Sequence, residues 1–442
     1  MKKQHYYHLI TFGCQMNKSD SERLTTILEG MGLIRTEKPE EADVIIMNSC
    51  SVRQAAEDRV FGLSYNFSKL KRQKPDLIVC VTGCMPGRDK DGKLQKRLKE
   101  VDLFFPIHEI IQLPQRLAGL NPDLRPMEDL KKDYLALRPA YKNKFQAFVI
   151  IQTGCNHFCA YCVVPFSRGT EGNRPLKQIL AEVRSLAASG CLEITLLGQI
   201  VNRYIASDTE YFSAKNPYRQ NDFAKLLWEI NQIEGIKRIN WTGPHPIYMD
   251  GEVIDALTLP KQMNYLHLPI QSGNTEILQK MNRRHDREFY LDLIKKIRKK
   301  KPNIAIATDI IVGFCGETEE QFQDTVSLYK ECDFDIAYPA QYSERSGTLA
   351  AKMFEDSVLK AEKKRRWQIL QDLMEKTTLR KNQNYIGRIV SVLVDRFEDG
   401  RCFGNSGEMK LVSFHGEKNM LGSIQKVKIE KASEWILCGV VA

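Results

Sequence analysis

Strand-like apolar runs alternate with helix-like amphipathic stretches from His5 to Ala340, and this alternation constrains the chain more than any other feature. Apolar runs of roughly four to eight residues fit buried strands, and apolar positions three and four apart fit helices. Alternating the two calls for parallel strands joined by crossover helices, because parallel neighbours cannot be linked by a tight turn. Strands are expected over His5–Phe12, Asp43–Asn48 and Leu77–Thr82, with helices over Ser19–Met31 and Val52–Leu70. A proline-bearing, charged stretch follows, with Asn121-Pro122, Arg125-Pro126 and Arg138-Pro139, and reads as a linker. Six more strands are expected near Ala147–Gln152, Leu192–Leu197, Ile236–Trp241, Tyr265–Pro269, Ile304–Ile311 and Phe334–Ala340. Helices near Leu176–Ala188, Phe223–Gln232, Glu252–Leu257, Glu288–Lys299 and Glu319–Glu331 separate them. Six βα units predict an open, partial version of the eight-fold barrel.

Beyond this series a basic helix is expected over Val358–Asn384, with Trp367, Leu370, Leu373 and Met374 on one face. Its run Lys363-Lys-Arg-Arg366 reads equally as a solvated face or a phosphate track. From Gly387 to Ala442 the pattern becomes strand alternation, at Ile389–Val394, Met409–Phe414, Ser423–Ile429 and Trp435–Val440. That predicts a small OB-like β-barrel, a shape often used on RNA. The expected fold class is α/β: an N-terminal parallel-sheet domain over 1–120, a linker over 121–144, a partial (β/α)6 core over 145–375 and a β-barrel over 376–442.

Three cysteines fall in Cys155-Asn-His-Phe-Cys159-Ala-Tyr-Cys162, directly after the first strand of the second series. Three thiolates on one loop can hold three irons of a cubane cluster and leave the fourth open to another ligand. A zinc knuckle would need a fourth ligand, and His157 is too close to its neighbours to serve without strain. A redox pair of Cys159 and Cys162 would leave Cys155 unexplained. In the first series each strand runs into a cysteine, at Cys14, Cys50 and Cys84. Parallel strands end along one edge, so strand order alone predicts a second three-thiolate site there. The alternative is three buried cysteines acting as small hydrophobes, which is the reading for Cys80 inside a strand. The start of the chain lacks a secretory segment, and no apolar run approaches the roughly 20 residues of a membrane span. A cytoplasmic location with no membrane partner is therefore expected, where the 12 cysteines serve as ligands and buried thiols rather than bridges. The formal net charge of +10 hints at a polyanionic partner.

Polar groups collect after the strands of the second series, at Gly198-Gln199-Ile-Val-Asn202, Pro244-His245-Pro246, Gln271-Ser272-Gly273, Gly313 and Tyr342–Arg345. Barrels of this kind do their chemistry at the C-terminal mouth, so one shared site is expected. Turn chemistry is the competing reading, and for His245 the two are even.

These segments also carry a family likeness. Thr11-Phe-Gly-Cys-Gln-Met-Asn17, Ala42–Arg53 and Val81-Thr-Gly-Cys-Met85 resemble the opening part of the radical S-adenosylmethionine (SAM) methylthiotransferases. Gly154–Gly169, Leu266–Gly273 and Asp309–Phe314 resemble the core motifs of that family, and the tail resembles its TRAM domain. Within the family, Cys50-Ser-Val-Arg53 with Ala56-Glu57 and Val163-Val-Pro165 is most similar to the tRNA 2-methylthio-N6-dimethylallyladenosine synthases (MiaB). The resemblance implies two 4Fe-4S clusters, an auxiliary one on Cys14, Cys50 and Cys84 and a radical-generating one on Cys155, Cys159 and Cys162. It implies SAM contacts at Tyr161, Gly198, Gln199, Gln271, Ser272 and Asp309, with Arg283 as the partner of the SAM carboxylate. The implied reaction methylthiolates carbon 2 of N6-isopentenyladenosine beside the anticodon in a tRNA stem-loop, with SAM as methyl donor and radical source. Both triads follow parallel strands, which would let the clusters face each other across the substrate. An electron-donor protein, a sulfur source and a monomeric state are further expectations. The alternatives are methylthiolation of threonylcarbamoyladenosine or of a ribosomal protein aspartate, and a non-catalytic RNA-binding metal protein. The chain departs from the family pattern at Asn173, at Cys315 and around Ser346, none of them a cluster cysteine.

Overall fold

A computed structural model describes residues 4–52, 54–124 and 134–442. Arg53 of the Cys50–Arg53 motif and Arg125-Pro126 of the expected linker lie outside the described residues. The chain divides into two units, the first built from Met1–Lys142, Gln152–Phe158 and Cys162–Arg174, the second from Asn143–Ile151, Cys159–Tyr161 and Pro175–Ala442.

The first unit carries β1 (Tyr6–Phe12), β2 (Ile34–Arg35), β3 (Val44–Ser49), β4 (Ile78–Gly83) and β5 (Leu103–Phe104). They form one sheet in the order β2-β1-β3-β4-β5, with every pair parallel. Every residue of β3 and β4 is buried, which is why these strands read as continuous apolar runs rather than as alternation. One face packs Ile45, Met47, Val79 and Val81 against Val60 and Phe67 of the helix Gln54–Gln73. Cys80 is fully buried within β4, as the hydrophobe reading expects. The edge strands β2 and β5 have two residues each and so carry no period for a sequence reading to find. The first helix runs over Gln15–Gly30 and starts four residues before the expected Ser19, because the Asn17 side chain closes its first turn onto Cys14. Part of the expected linker is core: Tyr134, Leu135 and Leu137 are buried.

The chain then enters the second unit with β6 (Gln146–Ile150) and returns to the first for an antiparallel hairpin, β7 (Gln152–Thr153) and β8 (Gly172–Asn173). Asn173, one of the departures from the family pattern, accepts a hydrogen bond there from Gln152 Nε2 at 3.3 Å.

The second unit continues with β9 (Glu193–Leu197), β10 (Arg238–Thr242), β11 (Tyr265–His267), β12 (Ala305–Val312) and β13 (Ile336–Gln341). Two three-stranded parallel sheets, β10-β9-β6 and β11-β12-β13, are joined by a parallel bridge between Ile239 and Gln262. The six strands therefore follow one another in chain order, as an open βα series should. The helices Leu176–Ala188, Asp222–Gln232, Gly251–Ala256, Arg287–Lys300 and Glu319–Cys332 separate them, within a residue or two of expectation. Their ends are chemically marked. Asn221, Asp250 and Asp286 accept a backbone N–H at their helix starts, Thr318 and Gln321 form a capping box, and Arg298, Lys299 and Lys300 sit in a last turn.

A helix over Lys360–Gln383 leads into β14 (Ile389–Glu398), β15 (Arg401–Ser406), β16 (Leu411–His415), β17 (Ile424–Ala432) and β18 (Leu437–Val441), which close into a barrel in the order β14-β15-β16-β18-β17. Its interior is Val390, Val392, Val394, Cys402, Val412, Phe414, Val427, Ile429 and Leu437. The sequence reading lacks β15, whose inward positions are Cys402, Gly404 and Ser406, too small and polar to mark a strand. Within this unit Arg238 donates to the carbonyls of Asn405 and Ser391 at 2.8 and 2.6 Å, which ties the barrel to the parallel core.

The basic run of the long helix is not a phosphate track. Lys363 is buried and donates to Asp356 and to the Tyr342 carbonyl; Arg366 is buried against Glu317 and Glu362; Arg365 pairs with Glu319 and Glu362. Local carboxylates use up most of this charge, so the even reading resolves to a helix anchored by ion pairs. Among the described residues no helix is long and apolar enough to cross a membrane.

Candidate functional site

Phe12, Ser49 and Gly83 are aligned across β1, β3 and β4 in the first unit. Cys14, Cys50 and Cys84 follow within one or two residues, so the three residues lie past the same end of the sheet. The loops are held close: Cys50 N–H donates to the Phe12 carbonyl at 2.9 Å. At Gly13 (φ +137°) an added Cβ would lie 2.7 Å from Cys50 Cβ, so only glycine lets the Cys14 turn approach Cys50.

Side chains that the sequence reading gave no role fix each loop. The Asn17 carboxamide oxygen lies 3.5 Å from Cys14 Sγ, and its Nδ2 donates to Asn48 Oδ1 at 3.1 Å. Asn48 returns a hydrogen bond to the Asn17 carbonyl at 2.8 Å, tying the Cys14 turn to the strand that delivers Cys50. Ser51, directly after Cys50, bonds to the buried carboxylate of Glu57. Arg88 grips that carboxylate through both oxygens at 2.8 and 2.9 Å, from the far end of the helix Cys84–Arg88. Cys84 is buried, which pushes its thiol up, while the charge of Arg168 pulls it back. Arg168 is itself paired with the fully buried Asp20 at 2.6 Å, and Tyr134 donates its hydroxyl to the same carboxylate.

In the second triad, Cys155 Sγ accepts the His157 N–H and Cys162 Sγ accepts the Val164 N–H, both at 3.4 Å, within the first unit. Cys159, in the second unit, accepts Arg283 Nη1 at 3.6 Å. Cys50 Sγ likewise accepts the Val52 N–H at 3.3 Å. Hydrogen bonds to sulfur are among the groups that tune an iron–sulfur cluster. Among the described residues no three His, Cys, Asp or Glu side chains converge as the ligands of a single ion would. A cubane asks for a wider set, because each thiolate binds its own iron. Thiolate donors with N–H groups aimed at them fit such clusters.

The remaining predicted residues lie in the second unit. Gly198 and Gln199 follow β9, and Tyr161 packs on the cluster of Ile277, Met281 and Phe314. Gln271, at φ +75°, donates its N–H to the Asp309 carbonyl at 2.9 Å, so these two are neighbours. Asp309 accepts His267 Nε2 at 2.8 Å, and the His267 ring stacks on Tyr338. Ser272 is fully buried, 3.4 Å from Thr325 Oγ1, and caps a turn through the Asn274 N–H. Arg283 donates to Cys159 Sγ at 3.6 Å and to the Pro269 carbonyl at 3.1 Å. His245 is buried, packs edge-on to His285 and accepts the Ile247 N–H, which is turn chemistry.

Residues 6–106 match the model of Uncharacterized protein family UPF0004, residues 149–329 the Radical SAM superfamily and residues 383–442 the TRAM domain. The chain is 40% identical over 442 residues, 98% of its length and 96% of the relative's, to a tRNA-2-methylthio-N(6)-dimethylallyladenosine synthase of Clostridium botulinum (strain Hall). This chain belongs to that synthase family. A synthase of the same name from Thermoanaerobacter sp. (strain X514) is 41% identical and spans 99% of this chain and 93% of its own. Among solved structures, the radical SAM methyltransferase TsrM from Kitasatospora setae shares the fold, with a TM-score of 0.55 at 14% identity over 79% of this chain and 77% of that one. The three matched segments cover the sheet of the first unit, most of the parallel series short of β13, and the terminal barrel.

Proposed function

We propose that this chain is a radical SAM tRNA methylthiotransferase that converts N6-isopentenyladenosine beside the anticodon to its 2-methylthio form. The observation that carries this is identity of about two residues in five along nearly the whole length of synthases that bear that name. When bound, two 4Fe-4S clusters and SAM would supply the electron, the radical and the methyl group. Cys14, Cys50 and Cys84 would hold the auxiliary cluster, and Cys155, Cys159 and Cys162 the SAM-binding one. Tyr161, Gly198, Gln199, Gln271, Ser272 and Asp309 would orient SAM, with Arg283 toward its carboxylate. The chain would work as a cytoplasmic monomer with an external electron donor and sulfur source, its auxiliary, core and barrel domains dividing near 120, 145 and 376.

Substrate choice is the direct test. Burying the five-carbon group contributes about 0.8 kcal/mol per methylene-sized unit, whereas a charged threonylcarbamoyl group would be penalised in the same apolar surroundings. Anaerobically reconstituted protein given tRNA bearing unmodified, isopentenylated or threonylcarbamoylated adenosine is expected to add the methylthio mass only to the second. Comparable turnover of the third would move the chain to the sister reaction.

Exposed Lys426, Lys428 and Lys431 point outward from β17 and supply charge for the tRNA backbone. Reversing all three to glutamate should weaken tRNA binding and flatten its log–log salt dependence by about 2, at roughly 0.7 for each phosphate no longer neutralised. SAM cleavage without tRNA should persist. Point changes suit this test better than deleting the barrel, which would strip Arg238 of its two carbonyl partners. An unchanged salt slope would remove β17 from the RNA interface.

A further inference from the structure

The helix Val164–Arg168 begins beside one candidate cluster and ends beside the other. Its first N–H, from Val164, donates to Cys162 Sγ at 3.4 Å. The helix packs on the one that opens with Cys84: an added Cβ at Gly87 would lie 2.1 Å from the Ser167 carbonyl oxygen, next to its last residue, Arg168. The Arg168 side chain is 2% exposed and its partner Asp20 is fully buried. One guanidinium nitrogen, Nη2, donates to Asp20 at 2.6 Å, while Nη1 is buried with no hydrogen-bond partner among the described residues. A second buried guanidinium, Arg23, lies over the Tyr134 ring at 5.5 Å, with its Nε and Nη2 also lacking hydrogen-bond partners among the described residues. Two cations and one carboxylate leave this pocket of the first unit with surplus buried positive charge. Burial of such charge is costly unless an anion compensates it. A cubane held by three thiolates is an anion, and its sulfurs accept hydrogen bonds.

We propose that Arg168 is a positioning residue for the auxiliary cluster: it stands on the helix packed against the one that opens with Cys84, and its buried charge, moderated by Asp20, raises that cluster's reduction potential. This rests on the reading that Cys14, Cys50 and Cys84 hold a cluster. A nearby cation stabilises the more negative, reduced state, and a nearby carboxylate opposes it. Removing Arg168 or Asp20 breaks the same ion pair and should destabilise the fold in the same sense. Their effects on the potential should have opposite signs, which a merely structural role would not produce.

The test uses full-length reconstituted protein in a Cys155→Ala, Cys159→Ala, Cys162→Ala background, so that the auxiliary cluster is observed alone. Its reduction is followed by electron paramagnetic resonance at controlled potentials. Arg168→Gln should make reduction about tenfold less favourable, about 59 mV for a one-electron couple. Asp20→Asn should shift it the other way, and Arg168→Lys should recover most of the wild-type value. If Arg168→Gln fails to hold iron, Asp20→Asn decides by itself: a rise supports the proposal, and no change or a fall overturns it. Shifts of the same sign in both variants, or none, also overturn it while leaving the cluster reading intact. Absence of iron from the triad-deficient background would instead sink the cluster reading, and this inference with it.

Discussion

Protein in which Cys155, Cys159 and Cys162 are all alanine is expected to lose SAM cleavage and methylthiolation entirely while keeping about half of its iron. Two cubanes imply about eight irons per chain, and each triad accounts for about four. The complementary Cys14→Ala, Cys50→Ala, Cys84→Ala protein should also retain about four irons, still cleave SAM on reduction, and transfer no methylthio group. The two triads share one packed helix, Val164–Arg168, but take their fixed donors from different residues, one from Asn17, Asn48, Glu57 and Arg88, the other from the N–H groups of its own short loop. Loss of one should therefore leave the other standing. Iron and acid-labile sulfide analysis with an anaerobic deoxyadenosine assay checks both. Full iron in either variant would remove that triad from the site.

Gly87→Ala is expected to act nearly as strongly on one cluster, without touching a ligand. Gly87 lies in the helix Cys84–Arg88, which packs against the helix Val164–Arg168 of the same unit. An added Cβ would meet the Ser167 carbonyl oxygen at 2.1 Å, and backbone cannot swing aside as a side chain can. Overpacking of this kind costs about 1–3 kcal/mol. The helix that must shift carries Cys84 at its start and the Glu57 partner Arg88 at its end. The variant should lose much of the auxiliary iron, keep the other cluster, and melt several degrees lower. An unchanged melting temperature with full iron would show that the two helices are not in such close contact.

That Cys14, Cys50 and Cys84 follow three aligned strand ends is legible in the sequence because topology does the work: any three adjacent parallel strands put their ends on one edge. The helices of the second unit are legible because Asn221, Asp250, Asp286 and Thr318 mark their starts. What escapes is of two kinds. Two-residue strands and the small-residue strand β15 offer no periodic apolar signal, so β2, β5, β15 and the β7–β8 hairpin go unseen. Charges do not announce their partners either. Lys363 and Arg366 look like an RNA surface until Asp356 and Glu317 are placed beside them. Arg168 looks like the end of a motif until Asp20 appears beneath it.

Asp20 and Arg168 stand 148 positions apart in the chain and share one buried bond. That distance matters for inheritance. A lineage that loses one charge keeps a buried ion without its counterion, so the two positions should drift as a couple, both kept or both replaced by apolar residues. Chimeras that join the opening segment of one relative to the remainder of another cross this pair. They should assemble when the donors agree at both positions and fail when they do not, whatever their overall similarity.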